Sequence, residues 1–101
     1  MIVKAGVKLD KLQPQMTLAL MAVERVWTAA GREPVLTSGN DGVHREGSLH
    51  YVGLALDFRS RNLSSNERYL FREQLEDMLG DEFDVVLEFN PHHYHIEWDI
   101  S

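Results

Sequence analysis

The sequence predicts a single α+β domain in which helices pack on one face of a small, mostly antiparallel sheet. Helical hydrophobic spacing and strand-like patterning follow one another in the order helix, strand, strand, helix, strand, strand. The last two strands are separated by Asn90 and Pro91, a connection tight enough for an antiparallel hairpin. At 101 residues the chain holds one hydrophobic core and not two, so any site must be built on that core.

The first helix follows Pro14, a residue suited to a first helical turn. Met16, Leu20, Val23 and Trp27 recur at helical spacing, Ala19, Val26 and Ala30 fill the neighbouring row, and Gly31 ends the run. Pro34 to Ser38 (PVLTS) is short and β-branched enough for a strand, and Gly39, Asn40, Asp41 and Gly42 then open a loop expected to run to Ser48. Leu54, Leu56 and Phe58 alternate with Ala55, Asp57 and Arg59. That alternation places the large apolar side chains on one face of a strand and Asp57 on the other. The second helix starts at Ser64, where Ser-x-x-Glu with Glu67 makes a capping box. Phe71, Leu75, Met78 and Leu79 form its inner stripe, and Gly80 suits its C-terminal cap. Phe83 to Phe89 and His93 to Asp99 read as the final strands. Trp27, Trp98, Met16, Met21 and Met78 are most simply core or near-core packing.

Composition narrows the function classes. Apolar residues make up 44% and charged residues 26%, values of an ordinary folded domain rather than a disordered chain. The formal charge is −6, with acids scattered and no basic stripe to neutralise phosphates, so no nucleic acid partner is expected. With no cysteine, disulfides, thiolate metal sites and thiol nucleophiles are excluded. The longest apolar stretch, Met16 to Val23, is broken by Thr17 and falls far short of a membrane span. The N-terminus lacks the basic-then-apolar order of a signal peptide. The chain is therefore expected to be cytoplasmic as synthesised, with no membrane partner.

One acid is out of place. Asp57 lies inside an apolar strand, where a carboxylate is costly unless it has partners. In the final strand, period-two geometry sends Tyr94, Ile96 and Trp98 to one face and His93, His95 and Glu97 to the other. If the two strands are neighbours, His50, Asp57 and His95 converge. Two neutral imidazoles and one carboxylate are the ligand set of a catalytic zinc site, with the fourth tetrahedral position left open. A closed structural site would want a further ligand, usually cysteine. Magnesium and calcium prefer all-oxygen shells, whereas nickel, cobalt or ferrous iron would accept the same set as zinc. An ion held this way acidifies water and polarises a carbonyl, which makes amide hydrolysis the natural reaction.

The pattern Ser48-x-His50-x-x-Gly53-x-Ala55-x-Asp57, followed by His95 in a His-x-His strand, resembles the zinc peptidases that include D-alanyl-D-alanine carboxypeptidases and phage L-alanyl-D-glutamate endolysins. The hedgehog signalling domain shares their fold. The resemblance covers the chain from about Gln13 onward and implies a hedgehog/DD-peptidase-like fold. It implies His50, Asp57 and His95 as the ligands of Zn2+, and a peptide of bacterial peptidoglycan as substrate. It also implies action on the cell wall after release or export, with a phage-encoded origin among the sources.

Two positions depart from the family. Ser38-Gly39-Asn40 is followed by Asp41 where many carboxypeptidase members carry an arginine, leaving Arg45 or Arg59 to support the scissile carbonyl. Members with Glu-x-x-His place the general base three residues before the last ligand, and here that residue is His92. Proton transfer is then expected from Glu88 and His93 jointly. Ser48 either contacts the metal-site carboxylate or substrate, or caps the turn before His50. Glu97 either orients His95 or is a plain cross-strand charge, while His44 and His92 are expected to be surface loop residues. The alternative function is a catalytically inactive, zinc-stabilised binding or structural module on the same fold, carried by a phage particle.

Overall fold

The structure, a computed structural model, describes residues 1–99. The alternation read in the sequence organises it. In strands β3 (Ala55–Arg59) and β5 (His93–Trp98), Leu56, Phe58, Tyr94 and Ile96 all turn to one side of the sheet and are fully buried. Helices α1 (Met16–Ala29) and α2 (Ser65–Leu79) cover that side. Trp27 of α1 is the centre of the contact: its ring meets Phe71 of α2 edge-on at 4.9 Å and Tyr94 of β5 at 5.4 Å. The fold is therefore an α+β domain with both helices on one face, and the opposite face of the sheet carries the polar residues of β3 and β5.

The sheet has five strands. Strands β1 (Ile2–Val3), β2 (Val35–Ser38) and β4 (Phe83–Glu88) complete it in the order β1-β2-β3-β5-β4. Every pairing is antiparallel except the parallel one between β1 and β2. Strand β1 is an element the sequence does not announce, since two residues carry no periodicity. It exists because the Ile2 and Lys4 amides donate to the Pro34 and Leu36 carbonyls on the edge of β2.

Helix α2 begins as the capping box predicts, with the Ser64 hydroxyl accepting from the Glu67 amide at 3.1 Å and the Glu67 carboxylate accepting from the Ser64 amide at 2.9 Å. Gly80 caps its other end with φ at 76°. Two assignments to the core need correction. Met21 and Met78 are 61% and 49% exposed. They line a shallow cleft between α1 and α2 instead of the interior, because the burying row of α1 is Met16, Ala19, Val23, Val26 and Trp27 and that of α2 ends with Phe71 and Leu75. Ala30 likewise is the exposed C-cap of α1. Among the described residues no helix is long and apolar enough to cross a membrane.

Candidate metal centre

Each half of the Ser-x-His-x-x-Gly pattern has a local physical cause. Residues Leu49–Val52 form a short 3-10 helix whose N-cap is Ser48, its hydroxyl accepting from the His50 amide at 3.2 Å. Gly53 ends the turn at φ 76°, its amide donating to the His50 carbonyl. A side chain there would be excluded twice, by the left-handed backbone and by the Lys11 carbonyl oxygen, which lies 1.8 Å from where a Cβ would stand. His50 is thus held between a cap and a glycine that presses against the N-terminal segment.

The same segment secures the loop on the other side of His50. Asp41 Oδ1 accepts from the Gly39 and Lys8 amides at 2.8 and 3.0 Å, and Asn40 accepts from the Lys11 amide. Burial would raise the Asp41 carboxyl, but these backbone donors outweigh it and hold it below its usual value. The acid standing where an arginine was expected is therefore a loop anchor. Its work is to aim the Gly39 carbonyl at His50 Nδ1, 2.8 Å away.

Strand register delivers the rest. Asp57 and His95 are direct cross-strand partners on the open face of the sheet, and His50 closes over them. His50 Nε2 lies 3.2 Å from Asp57 Oδ1 and 3.2 Å from His95 Nδ1, and His95 Nδ1 lies 3.0 Å from Asp57 Oδ1. A tetrahedral ion with bonds of about 2.0 Å wants its ligand atoms about 3.3 Å apart. The triangle is already of that size.

The hydrogen bonds behind the triangle fix which ring nitrogens face it with lone pairs. The Gly39 carbonyl can only accept, so His50 carries a proton on Nδ1 and turns Nε2 inward, the nitrogen that is free to ligate when the ring is neutral. Glu97 Oε1, 2.6 Å from His95 Nε2, accepts likewise and leaves Nδ1 of His95 for the centre. With both rings neutral in these tautomers, three acceptors would face one another at contact distance. One proton can serve at most part of such a triangle, whereas a divalent cation satisfies all three edges. His50, Asp57 and His95 form a group that could hold a metal ion.

Electrostatics agree. Burial would raise the Asp57 carboxyl, yet hydrogen bonds with His50 and His95 outweigh it and hold the group well below the usual carboxylate range. Burial would lower the His95 imidazole, but Asp57 and Glu97 more than offset that and raise it to about 9. Without an ion, His95 is therefore protonated at neutral pH. Metal binding must expel that proton. We expect about one proton released per ion at pH 7 and apparent affinity climbing by about tenfold per pH unit until pH 9, then levelling. Calorimetry in buffers of different ionisation enthalpy measures the release, and a pH-independent affinity between 7 and 9 would contradict it.

No protein-family model matches the chain, and no curated protein matches it. The centre is read from its own geometry.

A cleft of about 490 Å3 opens above the triad, and four residues singled out in the sequence lie along it: Ser48 and Arg45 on one wall, Glu88 and His93 on the other. Ser48 spends its hydroxyl as the cap described above. Arg45 is exposed. Glu88 and His93 are cross-strand partners at the head of the β4–β5 hairpin, with Glu88 Oε1 3.2 Å from His93 Nε2. His93 Nδ1 lies 2.6 Å from the Pro91 carbonyl, which can only accept. Nε2 is thus the ring nitrogen turned to the Glu88 carboxylate. Arg59 does not line this cleft.

His44 is the residue sequence reasoning missed. Expected on the surface, it is half-buried, its ring stacked on that of His50 at 4.0 Å and 10° and its Nε2 donating to the Asp41 carbonyl at 2.9 Å. It fixes the ring plane of His50 from outside. Nothing in the spacing of a loop histidine reveals such a stack.

Proposed function

We propose that the chain is a zinc-dependent peptidase that hydrolyses peptide bonds in bacterial peptidoglycan stem peptides. The observation that carries the reading is the triangle of His50 Nε2, Asp57 Oδ1 and His95 Nδ1 at the floor of an open cleft, each ring's other nitrogen held by an acceptor. Two nitrogens and one oxygen suit zinc better than a hard cation, and three protein ligands facing a cleft suit catalysis better than a closed structural site. When bound, zinc supplies Lewis acidity, polarising a peptide carbonyl and rendering water acidic enough to attack near neutral pH. The resemblance of Ser48 through Asp57 and of His93-x-His95 to zinc peptidases of the cell wall supports the substrate class.

The chain's own residues then have separate tasks. Gly39 and Glu97 orient the two ligand rings through their distal nitrogens. Glu88 Oε1 and His93 Nε2, 3.2 Å apart, form a pair that accepts a proton from the attacking water and returns one to the departing amine nitrogen. Arg45 offers a cation to the substrate along the opposite wall.

Purified protein loaded with zinc and incubated with stem peptides should release new amines or free D-alanine, and a chelator should stop the release. One zinc bound per chain with no cleavage of any stem peptide would replace the peptidase reading with that of a zinc-stabilised binding module. No stoichiometric zinc at all would remove both.

A further inference from the structure

A second cleft, of about 270 Å3, adjoins the first and shares Asp57 and His93 with it. Its walls carry Lys4, Arg59 and Arg61, and its only acid is Asp57, whose charge is already engaged by the two imidazoles. Such a cluster is out of character for a chain of charge −6. Three of the other five arginines are engaged: Arg32 pairs with Glu67 at 2.8 Å, Arg72 lies 3.7 Å from Glu76, and Arg68 donates to the Ser60 and Arg61 carbonyls, while Arg25 and Arg45 stand apart from this cleft. Among the described residues no side-chain hydrogen bond or ion pair engages Lys4, Arg59 or Arg61. His92 lines the same cleft, and its Nδ1 is buried without a partner. Here are donors gathered in one concavity with nothing to receive them.

We propose that Lys4, Arg59 and Arg61 form a subsite for a free carboxylate of the peptide, within two residues of the scissile bond. The inference rests on the peptidase reading and adds to it a requirement for an acidic substrate. Arg59 follows Asp57 by two positions on the same strand and the same face, a displacement of about 6.6 Å. That is about the span of two residues of extended peptide. A carbonyl at the triad therefore sets a carboxylate borne one or two residues away over the guanidinium of Arg59. The planar guanidinium receives both carboxylate oxygens at once, and Lys4 and Arg61 add charge from the exposed rim.

The test uses zinc-loaded protein and three peptides: L-Ala-γ-D-Glu-L-Lys-D-Ala-D-Ala, the same peptide as its C-terminal carboxamide, and the same peptide with D-isoglutamine in place of D-glutamate. Calorimetric Kd and cleavage are measured separately. One of the two amidations should weaken binding by about tenfold or more, which also tells which carboxylate is held. The double change Arg59→Gln and Arg61→Gln should weaken the acid peptide to the level of that amide and leave the amide unchanged. Lys4→Gln, on an exposed side chain, should reproduce part of the loss should the double variant fold poorly. Acid and amides bound alike, a variant that weakens all three equally, or no binding of any peptide would each overturn the subsite. Discrimination without cleavage keeps the subsite and removes the peptidase reading; cleavage without discrimination does the reverse.

Discussion

Replacing Asp57 with asparagine should lower zinc affinity more than about a hundredfold at pH 7, and peptide cleavage should disappear with it. Loss of an outer partner of a metal ligand typically costs 10- to 100-fold in affinity, and in the proposed centre Asp57 is itself a ligand, so its loss should exceed that. Asparagine keeps the volume and most of the shape, which separates charge from packing. The change also has a signature in metal-free protein. His95 is raised to about 9 chiefly against its own burial by Asp57 and then Glu97, so in the variant its titration should fall well below 9. The stability linkage has two flanks. A raised His95 contributes stability that is fully present below pH 6.5 and is lost as pH rises through about 9. A depressed Asp57 contributes stability present above pH 3.8 and lost as pH falls through its lower folded value. Metal-free wild type should therefore draw its greatest support from this cluster between pH 3.8 and 6.5, and the asparagine variant should lose the acid flank altogether and much of the alkaline one. Zinc titration, a histidine NMR titration and thermal melts across pH measure these effects. An asparagine variant that still binds zinc within a few-fold of wild type would refute the triad.

Gly53→Ala should be the most damaging change that removes no ligand. The left-handed backbone at φ 76° costs an alanine about 1–2 kcal/mol. The larger penalty comes from the Lys11 carbonyl oxygen 1.8 Å from the new Cβ, because backbone cannot move aside by changing rotamer. The N-terminal segment must lift, and with it go the Gln13 amide's bond to the Gly53 carbonyl and the packing that seats His50. A loss of about 3 kcal/mol or more is expected, lowering the melting temperature by more than about 10 °C. Gly47→Ala is the control: φ is 80° there too, yet nothing lies within 4 Å of its Cβ position, so only the backbone term remains. Equal effects at the two glycines would mean that the close approach of Lys11 matters little. A Gly53→Ala protein with unchanged zinc affinity would mean that this approach does not position His50.

How much of this was legible follows from what kind of signal each residue carries. The two faces of β3 and β5 were readable because alternation is a period-two signal within six residues, and Leu56, Phe58, Tyr94 and Ile96 all obey it. The capping box was readable because Ser64 and Glu67 act on each other across one turn. Asp57 stood out because a charge in an apolar strand is anomalous wherever it occurs. What escaped is long-range. Strand β1 exists through hydrogen bonds to β2, and the role of Asp41 depends on Lys8, far off in sequence. The stack of His44 on His50 is a meeting of two loops that no spacing encodes. Met21 reads as core by residue type and Met78 by its place in the helical stripe, and helix packing leaves both outside.

The contact of Lys8 and Lys11 with Gly39 and Gly53 has a consequence for anyone handling this domain. The N-terminal segment behaves as a clasp across the candidate metal pocket while adding no side chain to the triad. Trimming it as dispensable, or re-ordering the chain to begin at the first helix, would spare most of the hydrophobic interior and yet unfasten the histidine on which the pocket turns.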